Sequence, residues 1–412
     1  MNKSIERCYR MIIFLVILMI FGEPYGLTII GSAYRYCLLA LIAVLLLLYI
    51  IFVRKFWIGP LDRFPISVMK ISWALFFISC FFWSAMHNAY SYIGISVALI
   101  LYLFDFKFTN KLIIWLVYLS LFLTAIEYFT QHYIFINVIH DNELDEKMYG
   151  GMIGVFRAKG LFYGPLSAGI FVIMAFFLNC KNIWLLLAGI LVCFFANSRL
   201  GMVILVVPLL IFLLKNRNPK YLMGVFGIAV ASAFVIYKFA PHVLVSIERV
   251  GMLSDLSAQA ARFFYWTEGI KLFSSYPLQY IIFGNNGYYN SIYENNPESG
   301  WICLLTDNGL LGFLFYFIPI MYCFIKFLRQ KSYYYFIITG LLFLTNFLLT
   351  AHLSGTGNLM YWLVVFELYN KAKFGYSKID MMNSTICLPH KAKNNTLSIH
   401  KTNTSNESTA YR

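Results

Sequence analysis

The sequence predicts an all-α polytopic membrane protein of about twelve transmembrane helices, with a large outer loop before the tenth. Three observations carry that prediction. Of 412 residues, 60% are hydrophobic and 12% charged, and mean hydropathy is +0.72. Soluble domains carry about a quarter charged residues. The apolar residues gather into runs close to the length a bilayer demands. Finally, basic residues recur in every second connection between those runs. A formal net charge of +14 suits nucleic acid at first sight. Its carriers, however, sit in short clusters between apolar runs, where they orient a chain in a membrane, so no nucleic-acid partner is expected.

The first apolar run, Met11–Ile20, follows Lys3, Arg7 and Arg10 in the manner of a signal peptide. No small-residue cleavage site follows it and many apolar runs do, so it reads as a retained first helix. Spans are expected near 11–31, 36–53, 66–84, 91–106, 112–130, 161–179, 182–197, 202–215, 221–240, 301–325, 334–351 and 357–370. With the N-terminus inside, the cytoplasmic loops carry Arg54, Lys55 and Arg63, then Lys107 and Lys111, Lys181, Lys215, Arg217 and Lys220, Lys326, Arg329 and Lys331, and finally Lys371 and Lys373. That alternation puts both termini in the cytoplasm. Residues 1–377 form the membrane domain, with outer loops at about 131–160 and 241–300. The tail 378–412, rich in Asn, Ser, Thr and Lys, is expected to be disordered. The eight cysteines include no CxxC and the seven histidines no HExxH or i,i+4 pair. Neither a disulfide frame, a metal site nor a cofactor is indicated.

The polar stretches between spans hold the candidate site. Outer basic residues run against the orientation rule and are either interfacial anchors, partners of nearby acids, or marks of a ligand path. Anchoring is the preferred reading for Arg35, Arg249 and Lys271, and ligand binding for Arg157, Arg199 and Arg262. Arg157 and Lys159 open RAKGLFYGPLSAG (157–169), where Gly160, Gly164 and Pro165 break the start of the sixth span. Broken backbone of this kind is tolerated where it lines a polar cavity. Arg199 lies in NSRLG (197–201), a tight turn between the seventh and eighth spans. Guanidinium groups there suit a phosphate, which they bind in bidentate fashion.

Asp255–Ser274 reads as a helix lying on the membrane surface, with an apolar stripe of Phe263, Trp266, Ile270 and Phe273 and with Arg262 and Tyr265 at its edge. After it, PLQYIIFGNNG and YYNSIYENN offer Asn285, Tyr288 and Tyr289 to a sugar, by amide bonding and ring stacking. Tyr belongs equally to membrane interfaces. At the return to the membrane, Ser299 is expected to cap the tenth helix and Glu298 to complement its dipole or act as a base. Asp307 and Asn308 are expected deeper, about 13 Å along that helix. Glu23, Glu127 and Glu367 fall within spans as polar helix contacts or cavity groups.

In order and spacing, four motifs resemble the O-antigen polymerase and O-antigen ligase group of bacterial envelope proteins. They are R-x-x-G-L-F with a following Pro at Arg157–Pro165, S-R-x-G at Ser198–Gly201, R-x-x-x-W with F-G-x-x-G at Arg262–Trp266 and Phe283–Gly287, and E-S-G-x-x-x-L-L-x-x-x-G-L-L-G at Glu298–Gly312. The N-terminal half resembles the group in hydropathy alone. The resemblance implies a glycosyltransferase at the periplasmic face of the inner membrane. Its substrate would be an oligosaccharide on undecaprenyl pyrophosphate, with membrane lipid and a chain-length regulator as further partners. Ligases of the group carry a His-Asn pair where the long loop re-enters the membrane. Glu298-Ser299 stands there in this chain, which favours polymerase over ligase and leaves no histidine base to carry over.

Such a reaction needs a neutralised diphosphate, a dry site and an aligned acceptor hydroxyl. Arg157, Arg199 and Arg262 answer the first need, and Glu298 is the candidate base. A flippase of the same lipid-linked glycan is the alternative from another class. Transporters often show two related halves, and the halves of this chain are dissimilar.

Overall fold

The computed structural model describes residues 89–135, 138–139, 143–144, 156–215, 256–349 and 355–374, with scattered positions between 10 and 41. The spans expected at 66–84 and 221–240, most of those at 11–31 and 36–53, Arg35, Arg249 and the polar tail lie outside them.

Helix dominates. The helices are α1 (Ala89–Thr130), α2 (Pro165–Leu178), α3 (Ile183–Phe195), α4 (Arg199–Lys215), α5 (Leu256–Ser275), α6 (Leu278–Phe283), α7 (Tyr288–Tyr293), α8 (Gly300–Arg329), α9 (Tyr333–Leu348) and α10 (Gly355–Phe374). A two-residue antiparallel pairing, β1 (Val138–Ile139) with β2 (Glu143–Leu144), sits in the first outer loop.

Local chemistry sets the ends. Pro165 occupies the first turn of α2, where a missing N–H costs nothing. Asn182 caps α3 by accepting from the N–H groups of Trp184 and Leu185 at 3.1 and 3.2 Å. The other end of α3 closes with Asn197 at φ 51°. Ser198 N–H donates to Cys193 O at 2.8 Å and Asn197 N–H to Phe194 O at 2.9 Å, the double closure of a left-handed helix terminus. The tight NSRLG turn is therefore a helix stop followed at once by a helix start.

Two helices among the described residues are long and apolar enough to cross a membrane, Phe106–Thr130 and Gly300–Arg329. Four other expected spans appear among the described residues as shorter apolar helices, α2, α3, α4 and α9. A count of twelve is not shown. The spans expected at 91–106 and 112–130 need correction, because they run on as the single 42-residue α1. The connection KFTNK holds neither Gly nor Pro to stop a helix. Asn110 within it bonds sideways instead, in a reciprocal amide pair with Asn179 at 2.6 Å.

Helix α8 is bent sharply. Trp301 and Phe313 would lie about 18 Å apart on a straight helix, yet their ring centroids are 4.9 Å apart. The bend is at Gly309, whose φ of 64° and ψ of −167° are non-helical and open to glycine alone at low cost. Residues 300–308 thus fold back beside the rest of α8. Residues 310–329 after the break measure about 30 Å, one bilayer core.

The centre of the bundle is α10, buried on every side from Gly357 to Phe366 and packed on α1, α2 and α8. Tyr316 O–H donates to Asn358 Oδ1 at 3.1 Å, and Tyr361 O–H to Tyr316 O at 2.8 Å. Phe21 also joins the bundle, edge-on to Phe171 at 4.9 Å.

Basic residues gather toward one end of this bundle. There Asn110 meets Asn179, Tyr334 O–H donates to Cys180 O, and Gln330 Nε2 donates to Ala372 O. Glu127 stands about 26 Å further along α1. Around it, at the opposite end, lies the first cluster of the candidate site.

Candidate functional site

The site has two clusters. The first is built on α1, the irregular segment 156–160 and the α3–α4 turn. Ala158 N–H donates to Phe195 O at 3.0 Å and Arg157 Nε to Ala196 O at 3.3 Å, so Arg157 lies against the end of α3, three residues before Arg199 opens α4. Both arginine side chains are half-buried. Asn197 is 6% exposed and neither its Oδ1 nor its Nδ2 has a hydrogen-bond partner. Its left-handed backbone explains why Asn or Gly belongs there, but not why the amide is unpaired.

Glu127, fully buried, accepts from the N–H groups of Ile134 at 3.1 Å, Lys159 at 2.8 Å and Gly160 at 2.7 Å. Lys159 is also fully buried, with its ammonium 5.1 Å from the centre of the Tyr133 ring. Burial sets it apart from the surface position expected for a substrate cation.

The second cluster is built on α5 and the start of α8. Arg262 Nε donates to Glu298 Oε2 at 2.9 Å, joining the two residues that the sequence marks for chemistry. The R-x-x-x-W spacing explains how. Residues four apart share one helix face. Trp266 packs its ring on Phe347 at the end of α9, 5.3 Å between centroids, and Arg262 one turn earlier reaches Glu298. Gly269 continues the same face, where a Cβ would lie 2.5 Å from Ile302 Cγ2. The packed face is therefore Arg262, Trp266 and Gly269. Of the apolar stripe expected from Phe263, Trp266, Ile270 and Phe273, Trp266 packs on α9, while Phe263 and Ile270 are more than half exposed, as a stripe facing a membrane surface would be.

Glu298 holds φ at 54°, a conformation that ordinary side chains adopt rarely and that concentrates at functional sites. Ser299 stands at the N-cap of α8 without capping it. Its hydroxyl donates to Phe347 O at 2.7 Å and ties the loop to α9.

The glycines of F-G-x-x-G answer to packing. Gly284 (φ 82°) meets the bend of α8, where a Cβ would stand 2.3 Å from Asp307 O. Gly309 presses back, its absent Cβ 2.5 Å from Gly284 N. Asn285 N–H donates to Thr306 O at 2.9 Å and Gly287 N–H to Asp307 Oδ1 at 3.3 Å. Asp307 and Asn308 lie at this corner, receiving the loop, rather than deep along a straight helix.

Of the expected sugar-binding residues, Tyr288 is 44% exposed, and Tyr265 and Asn285 are half-buried. Tyr289 is 1% exposed and its hydroxyl donates to Tyr265 O at 3.0 Å. It pins α7 to α5 and offers no ring face to a ligand. Lys271 pairs with Glu268 at 2.7 Å. That ammonium and the Tyr293 hydroxyl hold the Glu268 carboxyl below its ordinary value, while burial pushes the Tyr276 phenol up. Among the described residues no three His, Cys, Asp or Glu side chains gather as metal ligands would.

Residues 184–317 match the family model described as O-antigen ligase. The matched stretch runs from α3 to the middle of α8 and holds Arg199, Arg262 and Glu298, with Arg157 and Glu127 before it. No curated protein matches the chain. Over that stretch, about a third of the chain, the protein is similar to the O-antigen ligase family, and the match does not separate polymerase from ligase. Glu127 is the functional candidate the sequence left undecided. Its signal was weak, a single acid near the end of an apolar run.

Proposed function

We propose that this protein is an O-antigen polymerase, joining oligosaccharide repeat units carried on undecaprenyl pyrophosphate at the periplasmic face of the inner membrane. The observation that carries the reading is the Arg262–Glu298 pair, half-exposed at the head of α8 within the family match. A guanidinium that is held by one carboxylate and reachable from outside is a cation a diphosphate can compete for.

In the reaction, an acceptor sugar hydroxyl attacks the anomeric carbon of the donor, and the bond from that carbon to the diphosphate oxygen breaks. Arg157, Arg199 and Arg262 take up the charge of the departing polyprenyl diphosphate. As Arg262 turns to the diphosphate it leaves Glu298, which then receives the hydroxyl proton. Donor binding thereby creates the base at the moment it is needed. Tyr265, Asn285 and Tyr288 line the approach of the sugars.

Glu298-Ser299 stands where ligases of the group place His-Asn, and the sequence holds no histidine between His242 and His352, which supports polymerase over ligase. The test is the surface polysaccharide of a deletion strain, complemented by wild type or by Arg262→Ala. A lost ladder with a single repeat unit still on the lipid core, unrestored by the variant, is the expected result. Loss of the single unit as well would turn the reading to ligase or flippase, and an unchanged ladder would overturn it.

A further inference from the structure

Glu127 is a fully buried carboxylate that the reaction above does not use. It closes the first outer loop at its base. Oε1 accepts from Ile134 N–H where the loop leaves α1, and Oε2 accepts from Lys159 and Gly160 N–H where it returns. Two further bonds tie the same strands together. Tyr133 O–H donates to Arg157 O at 2.9 Å, and the Lys159 ammonium lies on the Tyr133 ring. Gly160, at φ 58°, sits close enough to α1 that a Cβ would be 3.1 Å from Thr124 Cγ2.

We infer that Glu127 is a positioning residue for substrate: a clasp that fixes where the Arg157 guanidinium meets the lipid-linked diphosphate. Arg157 lies two residues from the clasped amides. Its own carbonyl is held by Tyr133 and its Nε by the end of α3. Any shift of the clasp therefore moves the guanidinium. Misplacing a binding group by about 1 Å can cost on the order of 100-fold in rate. The inference rests on the assignment of Arg157 made above.

Glu127→Gln is the informative variant. Its one remaining oxygen can still accept from Lys159 and Gly160, while its NH2 faces the Ile134 N–H and loses that bond. The experiment measures kcat/KM for lipid-diphosphate-linked repeat units with purified wild type, Glu127→Gln, Arg157→Lys and the double variant. Thermal unfolding is followed beside it. Each single variant is expected to lose about tenfold or more, and the double variant no more than the worse single, because both act at one guanidinium. Multiplying losses would overturn the inference and leave Glu127 a stabilising group only, as would wild-type kcat/KM in Glu127→Gln. Wild-type kcat/KM in Arg157→Lys would overturn the assignment of Arg157 itself, and the inference with it. If Glu127→Gln does not fold, Ile134→Pro removes the same bond from the donor side, at an exposed residue, and enters the same cycle with the same outcomes.

Discussion

Arg262 and Glu298 have side chains 38% and 39% exposed, and an ion pair so open to water adds about 0–1 kcal/mol to stability. A large effect on activity therefore cannot come from unfolding. Arg262→Ala is expected to abolish glycan polymerisation while leaving the unfolding temperature in detergent nearly unchanged. Tyr289 is the contrasting case. Tyr289→Phe loses one hydrogen bond to Tyr265 O, worth about 1 kcal/mol, and should lower thermal stability while sparing kcat. Asn197 tests whether a buried amide is kept for function. Asn197→Gly preserves the left-handed backbone and removes two unpaired polar atoms, so it should raise stability by about 1 kcal/mol. A loss of stability in that variant would show the amide to be paired within the fold.

Among elements, the decisive junction is the α6–α7 turn on the bend of α8. Both close approaches are made by glycines at positive φ. Gly284→Ala adds about 1–3 kcal/mol of backbone strain to a Cβ placed 2.3 Å from Asp307 O. It should lower thermal stability and abolish activity together, unlike Arg262→Ala. The α5–α7 tether responds to pH instead. Lys271 and Tyr293 hold the Glu268 carboxyl below its ordinary value of 4.5. The tether is thus complete above that pH and is lost as pH falls through the lowered value. Amide protection over 288–293, the ratio of intrinsic to observed exchange rate, should be constant from pH 7 to 5 and fall only in stronger acid. Tyr293→Phe should remove part of that dependence.

For the whole molecule, the bundle has a basic end and a site end. Cysteines introduced at Gln330 and Asn296, with Cys8, Cys37 and Cys387 changed to serine, should react differently from outside whole cells. An impermeant thiol reagent admitted to the periplasm is expected to label Asn296→Cys and not Gln330→Cys. Equal labelling would remove the orientation read from the charges.

The helical class, the positions of α2, α3, α4, α9 and α10, and the choice of Arg262, Glu298 and Gly284 as motif residues were legible in the sequence. Each depends on local chemistry: apolar run length, caps, glycine, and four-residue spacing. Where a run ends without a breaker, local chemistry is silent, and α1 passes through KFTNK as one helix. The direction of α8 after Gly309, the burial of Lys159 and Tyr289, the pairing of Arg262 with Glu298 and the amides that meet Glu127 were decided only by tertiary structure. A glycine permits a bend without specifying its angle. A carboxylate alone does not say which amides will reach it. Those outcomes come from segments distant in the chain packing against one another, and that is information no single stretch of sequence holds.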